Sequence, residues 1–171
     1  MGPDAESGTH ELIEVRRRRA ELLESITALE QALAAPGRQE TWAENVSAAV
    51  SELAGEFDDH VVLMEGPNGL NARLIRRAPR LAHEVDHLTK EHATLTGLIG
   101  ELSALVDQAH GSRERGESME HGESTPDDPT PGGWDEVRER GVQLLGALIR
   151  HRQSGADLVY EAYSVDIGGR D

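Results

Sequence analysis

Four stretches of this chain repeat apolar residues at steps of three, four and seven, and proline or glycine separates each from the next. That period puts the apolar side chains on one stripe of a helix, so each stretch must bury one face against the others. The first runs from about Thr9 to Ala35 through Leu12, Val15, Leu22, Leu23, Ile26, Leu29 and Leu33, and Pro36-Gly37 ends it. The second opens at Thr41, three residues before Glu44, in a capping-box pattern. It continues through Val46, Val50, Leu53, Phe57 and Met64 to Gly66-Pro67. A short piece, Leu70 to Arg77, bridges to Pro79, a residue suited to the first turn of a third helix. That helix carries Leu81, Val85, Leu88, Leu95, Ile99, Leu102 and Val106, and Gly111 closes it. The fourth starts near Trp134 and passes through Val137, Leu144, Leu145, Leu148, Val159, Ala162 and Tyr163 before Gly168-Gly169.

Between the third and fourth stretches, residues 111–133 hold no periodic apolar residue and are rich in Gly, Ser, Glu and Pro. The segment reads as a disordered acidic connector, and residues 1–8 as a disordered tail. The remainder, 9–169, reads as one domain, in keeping with a chain of 171 residues. Four helices of roughly 25–30 residues, each roughly 40 Å long and none stable alone, pack most economically as an up-down-up-down antiparallel four-helix bundle. A coiled-coil dimer is the rival arrangement, but Pro36, Pro67 and Pro79 interrupt any continuous heptad. The expected fold is all-α, as a monomer or weak homodimer.

Composition removes several classes of function. Only 3% of the chain is aromatic, so the core must be aliphatic, and a sheet is disfavoured. A net charge of −15 argues against nucleic acid and against an anionic membrane surface as partners. With no Cys there is no disulfide and no thiolate ligand or nucleophile. The start, MGPDAESGTHE, lacks the charged and apolar regions of a signal peptide, and Glu6 breaks the myristoylation pattern. A cytoplasmic location is the expectation. No phosphate-binding glycine loop and no Ser-His-Asp constellation is present, so no catalytic residue is assigned.

Eight histidines in an aromatic-poor chain form the main chemical signal. At about 100° per residue, His60, His92 and His151 each fall inside an apolar stripe, on three different helices. His83 and His87 fall on a charged face with Arg80 and Lys90, and His10 is off the stripe of the first helix. His110 and His121 read as solvated. Singly, each inward histidine is explained by one ring nitrogen bonded within the core; as a set they suggest a shared site.

His60 before Glu65-Gly66, Pro79-Arg80-Leu81 ahead of Glu91-His92, and His151 ahead of Asp166-Ile167-Gly168-Gly169 make a recognisable pattern. In this order it resembles bacterial hemerythrin-like (HHE-type) domains over nearly the whole chain outside the connector. The resemblance implies an antiparallel four-helix bundle around a non-haem di-iron site, held by histidines from all four helices and two bridging carboxylates, that binds oxygen or nitric oxide in sensing, storage or protection. Carried onto this sequence, the metal ligands are His60, Glu65, His92 and His151. Met64, Gly155 and Ala156 stand where the family places carboxylates, and Arg19 stands where the first helix would supply a histidine. Glu65 can turn inward only where the helix unwinds at Gly66-Pro67. The alternative is a metal-free, degenerate bundle acting as an interaction or small-ligand module. In it Arg19 and Arg152 either pair with Glu56 or Glu65, or lay their stems on the core and reach water.

Overall fold

The computed structural model describes the backbone of residues 3–36, 39–117 and 133–164, and side chains within 15–36, 41–111 and 133–162. Among the described residues all regular structure is helical. Helix α1 spans Pro3–Ala34, α2 Gln39–Glu65, α3 Leu70–Arg77, α4 Ala82–Glu117 and α5 Trp134–Ser164. A single 3-10 turn, Pro79–Leu81, joins α3 to α4. The four long helices form a bundle.

Two boundaries differ from the expectation. Helix α1 begins at Pro3, ahead of Thr9, because proline is well suited to a first helical position, where its missing N–H is not needed. Helix α4 continues past Gly111 to Glu117, since extending a formed helix fixes one residue at a time and needs no burial. The rest of the expected connector, residues 118–132, lies outside the described residues, as does the closing Asp166-Ile167-Gly168-Gly169.

The core divides into two clusters. The larger joins Leu29, Leu33, Trp42, Val46, Leu53, Phe57, Leu102, Val106, Val137 and Leu144 from all four long helices. At one end Trp42 meets Trp134 edge-to-face, with ring centroids 5.6 Å apart. The two rings close the core, as their places at the starts of two helices imply. Close beside them, a Cβ on Gly141 would lie 2.5 Å from Leu33 Cδ1. The glycine lets α5 approach α1 at this level.

The smaller cluster is built from Leu74, Ala78, Leu81, Val85, Leu88, Leu158 and Ala162. It holds α3 and the start of α4 against the last turns of α5. Asn71 Nδ2 donates to Thr89 Oγ1 at 3.1 Å, and an Arg80 N–H donates to the Glu161 carbonyl at 3.0 Å. No described helix is long and apolar enough to cross a membrane.

Candidate metal centre

The three inward histidines meet between the two clusters. His60 lies one turn past Phe57 on α2, His92 lies between Leu88 and Leu95 on α4, and His151 follows Leu148 on α5. The apolar stripe that builds the core therefore also delivers the imidazoles. Ring centroids are 5.2 Å apart for His60–His92, 5.7 Å for His60–His151 and 4.7 Å for His92–His151. Phe57 touches the edge or face of all three, at 5.8, 6.0 and 6.4 Å, and seals the site from the main core. One ring nitrogen from each histidine falls within 4.8 Å of the others. The three are close enough to hold a metal ion. Tetrahedral coordination at about 2.1 Å needs nitrogens roughly 3.4 Å apart, so loading requires the rings to move inward by about 1 Å.

Two carboxylates orient the set. His92 Nδ1 lies 2.5 Å from Glu65 Oε1, and His151 Nδ1 lies 2.8 Å from Glu91 Oε2. A carboxylate only accepts, so each Nδ1 carries the proton and donates. In the neutral ring this leaves the lone pair on Nε2, as in the carboxylate–histidine pairs that back metal ligands. His92 is only 2% exposed, and its Nε2 is buried with no hydrogen-bond partner. Both ring nitrogens of His60 are also buried and unpartnered. A buried, unsatisfied polar group costs about 1–3 kcal/mol, so this concentration at one point needs an explanation.

Burial keeps two of the three rings, His60 and His151, from taking up a proton. Burial first, then the neighbouring His92, His151 and Arg19, push His60 from 6.5 down to about 3. Burial also lowers His151, against the opposing hydrogen bond to Glu91. At neutral pH His60 has no proton to shed before binding a cation.

The placements can be compared residue by residue with the sequence. His60, His92 and His151 converge as the stripe positions require. Glu65 also reaches the site, because α2 ends at that residue. The chain turns there through glycines with no room for a side chain: a Cβ on Gly69 would lie 2.4 Å from the Met64 carbonyl oxygen. Glu65 binds the far nitrogen of His92, however, and is not one of the three converging donors. Glu91 was not anticipated. It sits one residue before His92, about 100° round the helix, and the sequence alone does not say that α5 lies on that side.

His83 and His87 are exposed, as their charged face implies, although His87 Nδ1 comes within 3.3 Å of Glu91 Oε1. His110 is not simply solvated: it is half-buried, with its ring against Trp134 at 5.1 Å. The side chain of His10, and all of His121, lie outside the described residues.

Beside the histidines a cleft of about 330 Å³ opens between α1 and α5, its walls largely aliphatic. Arg19 and Arg152 line it and are exposed, in keeping with the expectation of stems laid on the core and heads that reach water. Among the described residues no ion pair joins either arginine to Glu65, whose Oε1 contacts His92. Glu56 leaves Oε2 buried without a hydrogen-bond partner. Comparisons with protein-family models, curated proteins and solved structures find no match. No family is assigned. The functional reading rests on this geometry and on the sequence pattern.

Proposed function

We propose that the chain is a hemerythrin-like, antiparallel four-helix bundle whose three imidazoles hold a first-row transition metal ion. Iron is the first candidate on the sequence resemblance, and imidazole nitrogen suits it. The observation that carries the reading is the convergence of His60, His92 and His151 with buried, unpartnered nitrogens and carboxylates behind two of them. The order of contacts along the bundle supports the antiparallel arrangement. Leu33, Trp42, His110 and Trp134 share one end, while Arg19, His60, His92 and His151 share the other region.

Glu65 and Glu91 are both occupied on imidazole Nδ1 atoms, so the donor set favours one ion over a carboxylate-bridged pair. A bound ion supplies a Lewis-acidic or redox-active centre with open positions for oxygen or nitric oxide. The protein's own part is to hold Nδ1 protonated on His92 and His151, to keep His60 neutral, and to fix the three rings against Phe57. A metal-free ligand-binding module is the second reading, favoured by the cleft and its two guanidinium groups.

Chelator-treated protein titrated anaerobically with Fe(II) or Zn(II), followed by elemental analysis, tests the first reading. One ion per chain is expected, lost in His92→Ala and kept when His83 and His87 are both changed to Ala. Two irons per chain with an oxo-bridge absorption would contradict the single-ion site. Absence of binding would leave the metal-free reading.

A further inference from the structure

The cleft beside the histidines is far larger than a diatomic ligand needs. At about 330 Å³, and with about 30 Å³ for each water-sized group, it has room for roughly ten non-hydrogen atoms. Leu22, Leu23, Ile26, Met64, Leu88 and Leu148 line it. Leu23 is 41% exposed there, an aliphatic side chain left uncovered in the wall of a concavity. Such a lining suits a hydrocarbon body.

Besides the three imidazoles, the charged groups that line the cleft among the described residues are of one kind. Arg19 on α1 and Arg152 on α5 both border the cleft, and Arg19 is near enough to His60 for its charge to act on that ring. Among the described residues neither guanidinium has an ion-pair partner. In a chain of net charge −15 this leaves two uncompensated cations at an apolar concavity. A planar guanidinium matches a carboxylate through paired N–H donors. Among the described residues no carboxylate side chain lines the cleft to oppose an anion.

We propose that this cleft binds a medium-chain aliphatic carboxylate, its head on Arg19 and Arg152 beside the histidines and its chain among the leucines. The site stands without a metal, because its anchor is the guanidinium pair. It goes beyond the metal reading and does not depend on it.

Octanoate, with roughly ten non-hydrogen atoms, is the probe. Calorimetric titration of the chelator-treated protein should show octanoate binding at least about tenfold tighter than octan-1-ol, which lacks the charge, or acetate, which lacks the chain. Changing Arg19→Gln and Arg152→Gln together should remove the preference over octan-1-ol. Both residues are exposed, so the fold should survive, and circular dichroism checks it. Gly155→Leu supplies an independent block: Gly155 lines the cleft, and a Cβ there meets nothing within 4 Å. Leucine also favours the helix over glycine, so the variant should fold and lose octanoate.

Octanoate binding no tighter than octan-1-ol would overturn the proposal, and so would full binding by Gly155→Leu. Binding only after metal loading would overturn the guanidinium anchor while leaving the metal site in place. Failure to bind metal leaves the octanoate result unaffected, so the two readings can fail separately.

Discussion

The two ends of the main core are made from the same aliphatic stripes, yet they treat polar atoms differently. At the tryptophan end Leu29, Val46 and Val137 are fully buried, and Trp42 packs on Trp134. Arg138 lies over the Trp42 ring, 4.7 Å from its centroid, and its Nε donates to the Leu33 carbonyl at 3.3 Å. Only Trp42 Nε1 is left buried without a partner among the described groups there. At the histidine end three imidazole nitrogens and Glu56 Oε2 are buried without partners, and a cleft opens alongside. One end is packed for stability. The other holds unmet hydrogen-bonding capacity in a fixed geometry, a pattern associated with functional sites.

Substitutions that exchange the roles of the two ends should expose that difference. The largest effect is expected at the packed end. Leu29→Ala removes a side chain that is 0% exposed and should lower stability by about 2–5 kcal/mol, read from the urea midpoint at unchanged m-value. A cost under about 1 kcal/mol would mean that this end is loosely packed.

Acid should act at the other end. Below pH 6.5 the unfolded chain protonates His60, whereas the folded chain resists until about pH 3. The unfolded state then binds more protons, so stability falls as pH drops from 6.5 toward 3 and is insensitive to this group above 6.5. The slope is at most about 1.4 kcal/mol per pH unit for one proton, and His151 adds in the same direction. Urea unfolding at several pH values should show a shallower slope in His60→Leu, which separates this contribution from that of the carboxylates. An unchanged slope would place the acid response elsewhere.

The smallest effect is expected on the exposed face of α4. Changing His83 and His87 together to Ala should shift the urea midpoint by less than about 0.5 kcal/mol, because neither ring is buried. A larger loss would give His87 and its contact with Glu91 a structural part in holding His151.

The helices and the three histidines were legible in the sequence because one period governs both. A residue on the apolar stripe faces the core whatever its chemistry, so His92 between Leu88 and Leu95 could be placed without knowing its neighbours. Glu91 could not, because its role depends on which helix lies at its side. Glu65 was conditional on where α2 ends, and two glycines with no room for a side chain settle that point. Gly155 and Ala156 were read only as places where carboxylates are missing. In the structure they line the cleft, a shape made by the spacing of α1 and α5, and a single-chain pattern does not encode such a spacing. The start of α1 and the end of α4 differ from the sequence expectation because helical backbone extends beyond the residues whose period marks it.

The central claim is that the histidine end gives up stability to hold a metal-ready geometry. Urea unfolding of the wild type and of His60→Leu, each with and without saturating zinc, tests it most directly. Without zinc, His60→Leu should be more stable by about 1–3 kcal/mol, because two buried, unpartnered nitrogens are replaced by carbon. Zinc should raise the wild-type midpoint and leave that of His60→Leu unchanged. A variant that unfolds earlier without zinc, or that is stabilised by zinc as much as the wild type, would contradict the account.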